Sequence, residues 1–135
     1  MSECHRLSQG ANILIVEDDD VTATDLQRGL IGAGYAVRRA GSAYEALVTL
    51  ESVQADLVLV SLMLPDADGL ILCSTLKANF PAPVIVVSAR PGEVDRALAL
   101  ESGAVDVLTT PIDVEELLTH VRTVVRSHGV SKVSW

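Results

Sequence analysis

The chain has 135 residues, 10 Lys+Arg against 18 Asp+Glu, a formal net charge of -8, and is 49 % hydrophobic but only 3 % aromatic. That is the size of one domain, too apolar for a disordered chain. With a pI near 4.7, it is also too acidic to seek nucleic acid or an anionic membrane surface directly. No apolar run approaches the ~20 residues of a membrane span, and no signal-peptide core opens the chain. Cys4 and Cys73 form no CxxC pair, so two reduced thiols in a cytoplasmic protein are expected, without a disulfide or a Cys-rich zinc site.

In chain order, residues 1–10 read as a tail. Residues 13–16 (ILIV) form an almost continuous aliphatic run, as do 57–60 (LVLV), 84–87 (VIVV) and 105–108 (VDVL). Such short, β-branched runs predict strands buried on both faces. Residues 35–40 predict a more polar strand nearer an edge. Between the runs the apolar residues take a helical period. Leu26, Leu30 and Ala33 mark one face, Ala43, Ala46, Leu47 and Leu50 a second, and Leu70, Cys73 and Leu76 a third. Leu117, Leu118, Val121 and Val125 mark that of the last helix. Ser42 with Glu45 and Asp113 with Glu116 read as capping boxes, and Gly34 and Gly129 stand where helices should stop. Residues 128–135 read as a tail or the start of a linker.

Strands alternating with helices five times imply a parallel sheet covered by helices on both faces. Function in such sheets gathers at the carboxyl ends of the strands. After the first strand come Glu17, Asp18, Asp19 and Asp20. Asp19 or Asp20 is expected to cap the following helix, whereas Glu17 and Asp18 should face the crevice, where paired carboxylates suit a hard cation. Ser61, Ser88 and Thr110 end the third, fourth and fifth strands. The crevice therefore collects two acids and three hydroxyls, with no base and no lysine. Ser61 and Ser88 are expected to hydrogen-bond each other or nearby backbone, Val107 to pack in the core, and His120 to lie on the surface.

At these strand ends the chain resembles the receiver domains of two-component response regulators. The matching stretches are ILIVEDD at 13–19, DLVLVSLMLPDADGL at 56–70, PVIVVSAR at 83–90 and GAVDVLTTPID at 103–113. The resemblance covers residues 11–127. It implies a (βα)5 flavodoxin-like, CheY-like α/β fold: a parallel five-stranded sheet with helices on both faces. It also implies a signalling role in phosphorelay, not an enzyme's. In the family an aspartate ending strand three takes a phosphoryl group. Two acids after strand one, that aspartate and a backbone carbonyl hold Mg²⁺. A lysine ending strand five, a hydroxyl ending strand four and an aromatic on strand five complete the switch. Mapped here, Glu17 and Asp18 are the acid pair, Met63 supplies the carbonyl and Ser88 is the hydroxyl.

Three positions depart from that pattern. Ser61 stands for the phosphoacceptor aspartate, Thr110 for the lysine and Val107 for the aromatic. Serine is a poor nucleophile without an adjacent base, and a missing cation removes stabilisation of transferring phosphoryl charge. The charges lost with the aspartate and the lysine cancel, so the two losses can coexist. A vestigial Mg²⁺ site of Glu17, Asp18 and the Met63 carbonyl is expected to bind weakly at most. The reading is thus a pseudo-receiver with no cofactor beyond weak Mg²⁺. It would act through protein contacts, including homodimerisation across the helix 4–strand 5–helix 5 face, on an output domain, transcriptional by resemblance, that would follow residue 127. That face carries charges of both signs, which suits a self-complementary patch. Small-molecule sensing in the crevice is the alternative, and phosphorylation of another acid such as Asp66 a third.

Overall fold

The fold is that of a computed structural model, which describes residues 10–89 and 93–133. Cys4, His5 and nearly all of the expected N-terminal tail lie outside the described residues. The elements are β1 (Asn12–Val16), α1 (Asp20–Gly32), β2 (Ala36–Ala40), α2 (Ala43–Ser52), β3 (Leu57–Ser61), α3 (Gly69–Asn79), β4 (Val84–Ser88), α4 (Glu93–Glu101), β5 (Asp106–Thr109) and α5 (Val114–Val133). All strands pair in parallel, in the order β2-β1-β3-β4-β5. The expected α/β architecture is the one found.

Inside the aliphatic runs, successive side chains point to opposite faces of the sheet. Leu14, Val16, Val58, Val60, Val84, Val86 and Val107 pack under α2, α3 and α4. Ile13, Ile15, Leu57, Leu59, Ile85, Val87 and Leu108 pack under α1 and α5. The larger side chains thus fill the face that only two helices cover. A one-residue slip of any strand would exchange the two sets, so each run specifies its register.

The helix ends follow from local chemistry. Asp19 caps α1 by accepting from the Thr22 N–H. Gly34, at φ 98, ends it. Its N–H reaches Ile31 O at 3.0 Å and the Tyr35 N–H reaches Leu30 O at 3.1 Å, a Schellman closure that needs a residue tolerant of positive φ. Ser42 caps α2 through Glu45 N, as expected, but the Glu45 carboxylate reaches back to Gly41 N at 2.6 Å rather than to Ser42.

One local expectation fails. Gly129 does not stop the last helix, which runs through it to Val133. A glycine inside a helix costs only about 1 kcal/mol against alanine. On α3 the deepest residues are Leu72, Cys73 and Leu76. Leu70 is half-buried, packed against that core and also lining the crevice. Ala33 is the C-cap of α1 and packs, half-buried, against the same core as Leu26 and Leu30.

Candidate functional site

The strand order reverses at β1: the chain leaves it toward β2 and returns to β3 on its other side. The segments after β1 and β3 therefore diverge and leave a crevice at the carboxyl ends of the strands. Its volume is about 500 Å³, and its lining includes Glu17, Asp19, Ser61, Met63, Ser88 and Thr110. Of the residues singled out from sequence, these come together as expected, except that Asp19 rather than Asp18 lines the crevice. Val107 is buried under the α2–α3–α4 face.

Ser61 ends β3 and is 9 % exposed. Its hydroxyl lies 3.4 Å from Met63 O and 3.3 Å from Met63 N. The expected satisfaction of this serine by nearby backbone is what the structure shows. Ser88 ends β4, 3 % exposed. Its carbonyl accepts from the Thr110 N–H at 2.9 Å, which ties the start of the β5–α5 connection to β4. The Thr110–Pro111 peptide is cis.

Glu17 is the buried acid of the site, 7 % exposed. Its carboxylate accepts from the Asp19 N–H at 3.1 Å. Burial raises its pKa above the ordinary glutamate value; the Asp19 N–H and the neighbouring Ser61 hydroxyl pull the other way. Sequence inspection finds no base beside Ser61, but the fold supplies this carboxylate. Asp18 is exposed and absent from the crevice lining. Its carbonyl and that of Glu17 are both held by Arg39.

The raised pKa has a testable consequence. A group whose pKa is higher in the folded state stabilises folding below its unfolded pKa, and that contribution is lost as pH rises through the folded value. Glu17→Gln should therefore raise stability at pH 7, and the gain should vanish below about pH 4.5, the ordinary glutamate value. Urea unfolding of both proteins across that range is the measurement; a gain that persisted at low pH would contradict burial as the cause. Asp19 and Asp66 run in the opposite sense. Hydrogen bonds from backbone N–H groups, at Thr22 for Asp19 and at Tyr44 and Ala43 for Asp66, lower their pKa values. Their contributions are present above the usual aspartate pKa and are lost on acidification.

Asp66 is the residue that sequence inspection misplaced most. From the β3–α3 segment its carboxylate crosses to α2 and accepts from Ala43 N at 2.9 Å and Tyr44 N at 3.0 Å. It caps a neighbouring helix and is absent from the crevice lining, which leaves the third reading, phosphorylation of Asp66, without support. Gly69 opens α3. It lies against the β3 exit, where an added Cβ would stand 2.1 Å from Ser61 O. Arg39 was passed over, although its place on a weak edge strand beside a run of four acids was a usable signal.

Among the described residues, no three His, Cys, Asp or Glu side chains converge so as to hold a metal ion. Glu17 engages Asp19 N, Asp18 is exposed and absent from the crevice lining, and Ser61 offers only a hydroxyl. Mg²⁺ prefers near-ideal octahedral oxygen geometry, and this donor set does not fit it. On the α4–β5–α5 face, Asp106 pairs with His120, as well as with Arg96 at 4.0 Å. His120 is thus half-buried and engaged, not a free surface residue.

Comparison with known proteins agrees with this geometry. The Response regulator receiver domain family matches residues 13–122, and the chain belongs to that family. It is 39 % identical over 115 residues to the sensory transduction protein RegX3 of Mycolicibacterium smegmatis, covering 85 % of this chain and 50 % of that protein. It is 35 % identical over 123 residues to the transcriptional regulatory protein CseB of Streptomyces coelicolor, covering 91 % of this chain and 53 % of that protein. The chain therefore spans about half the length of the curated relatives it matches. Among solved structures, the receiver domain of the TMAO respiratory system response regulator TorR superposes with a TM-score of 0.81 at 32 % identity, covering 87 % of this chain and 98 % of that one. The BeF3-activated receiver domain of Klebsiella pneumoniae RstA gives 0.81 at 28 % identity, covering 85 % and 98 %. No helix among the described residues is long and apolar enough to cross a membrane.

Proposed function

We propose that this chain is a pseudo-receiver: a cytoplasmic signalling module that does not take phosphate by the family's aspartyl chemistry. Residues 11–127 form the receiver proper, and the segment from 128 leads toward an output domain, transcriptional in kind. Ser61 stands at the phosphoacceptor position, Glu17 and Asp18 are the remaining acid pair, and Ser88, Thr110 and Val107 occupy the places of the switch hydroxyl, the lysine and the switch aromatic. Signalling runs through protein contacts of the α4–β5–α5 face, including pairing of two copies. Here Asp106 already has partners within its own chain, so the charges left for a second copy include Glu101, Glu115, Glu116 and Arg122.

The observation that carries the reading is the crevice lining itself. Among the described residues it contains Ser61, Glu17, Asp19 and Asp68, but no lysine or arginine. Glu17 could accept the Ser61 proton, yet no described lysine or arginine lines the crevice to meet an incoming phosphoryl group. Phosphoryl transfer depends on stabilising charge on the phosphoryl oxygens, so this lining disfavours it.

Incubation with acetyl phosphate and Mg²⁺ should therefore leave the intact mass of the protein unchanged. A stoichiometric adduct labile to hydroxylamine would mean an acyl phosphate on one of the acids. A hydroxylamine-stable adduct would mean a phosphoserine at Ser61. Either result overturns the reading. The crevice volume of about 500 Å³ lies within the range of small-molecule sites and favours the second reading, a sensing role. A compound that bound there in the native state would raise the melting temperature.

A further inference from the structure

We propose that Arg39 is the built-in counter-ion of the acidic β1–α1 segment, holding by hydrogen bonds what receivers hold with a divalent ion. The inference rests on the reading that no such ion fills this crevice. It goes further by naming the residue that makes the ion dispensable and sets which acid faces inward.

Arg39 lies on the edge strand β2, beside four consecutive acids, Glu17 to Asp20. Its guanidinium makes three contacts to that run. Nε donates to Glu17 O at 3.1 Å, Nη2 to Asp18 O at 3.0 Å and Nη1 to Asp20 Oδ1 at 2.9 Å. The planar fork of arginine suits several acceptors at once, which a lysine ammonium on a flexible stem does not. The contacts are partly shielded, with the Arg39 side chain 27 % exposed. Its charge also helps lower the pKa of Asp19, after the stronger hydrogen bonds from Thr22.

The geometric consequence follows from the two carbonyls. Fixing the oxygens of Glu17 and Asp18 fixes two successive peptide planes. Glu17 lines the crevice, whereas Asp18 is exposed and absent from its lining. For Asp18 to reach a metal in the crevice, the plane that Arg39 grips through the Asp18 carbonyl would have to rotate. Arg39 thus stabilises the acid run and opposes the arrangement that a divalent ion would need. It is a positioning residue and touches no substrate.

The test is a MgCl2 titration of the wild type, Arg39→Lys, Arg39→Gln and Arg39→Gln/Asp18→Asn, followed by backbone amide shifts of residues 17–20 and by melting temperature. The wild type should respond weakly. Arg39→Gln should melt lower without metal and respond at roughly tenfold lower Mg²⁺, since a nearby positive charge no longer repels the ion. The added Asp18→Asn change should remove that response, because Asp18 is the acid released. Arg39→Lys keeps the charge but frees carbonyls and should fall between; it carries the comparison if Arg39→Gln proves too unstable to titrate. Removing a merely structural arginine would lower the melting temperature equally with and without Mg²⁺. Variants that titrate like the wild type would overturn the proposal. A phosphoryl adduct on the wild type would instead defeat the pseudo-receiver reading and leave this comparison of metal response legible.

Discussion

Gly69→Ala should cost on the order of 4 kcal/mol or more, placing it in the rare severe class of single substitutions. A Cβ at this position would stand 2.1 Å from Ser61 O, 2.6 Å from Leu62 Cα and 2.9 Å from Ser61 C. All three are backbone atoms at the exit of β3, so no side-chain rotation relieves the clash. The Gly69 N–H also donates to Leu62 O at 3.0 Å, which pins the start of α3 against the floor of the crevice. Moving either backbone breaks that bond and shifts Ser61. For a domain whose whole stability is some 5–15 kcal/mol, the variant should be largely unfolded or soluble only as a loosened state. Urea unfolding followed by circular dichroism would measure the loss. An exposed helical glycine would instead gain up to about 1 kcal/mol from alanine, so a neutral or stabilised variant would show that the close approach does not exist.

The second large effect concerns restored phosphorylation. Ser61→Asp with Thr110→Lys should change phosphoryl occupancy under acetyl phosphate and Mg²⁺ from undetectable to a measurable fraction, held below the majority while Arg39 keeps its grip on the Asp18 carbonyl. Neither substitution alone should do so. Ser61→Asp alone sets a second carboxylate beside buried Glu17, whose pKa burial already raises; like charges there are costly until a cation relieves them. Thr110→Lys alone supplies the cation without the nucleophile. The double variant should still transmit poorly to the α4–β5–α5 face. Val107 is only 7 % exposed and packs in the α2–α3–α4 layer. Its χ1 is stiff, and it is too short to exchange between an inward and an outward pocket. Adding Val107→Tyr should enlarge the amide-shift changes across residues 96–126 on phosphorylation. Equal changes in the double and triple variants would show that Val107 is not the broken link, because a ligand shifts an equilibrium only through its differential affinity for two states.

The aliphatic runs at 13–16, 57–60 and 84–87 were enough to predict central strands, and the alternation of β and α enough for a parallel, two-sided sheet. These features were legible because burial on both faces requires continuous apolar sequence, a purely local property. Capping by Ser42 and Asp19 was legible for the same reason: the partner N–H lies within a few residues. The strand ends could also be read, so Ser61, Ser88 and Thr110 could be assigned to one crevice before any coordinates. What tertiary structure decided were contacts between segments distant in the chain. Asp66 caps a helix about twenty residues earlier. Gly69 is required by a carbonyl on another element. Arg39 chooses between Glu17 and Asp18 by gripping backbone oxygens some twenty residues away. Composition and periodicity carry no trace of these pairings, because each depends on where two backbones meet, and that is set only when the sheet closes.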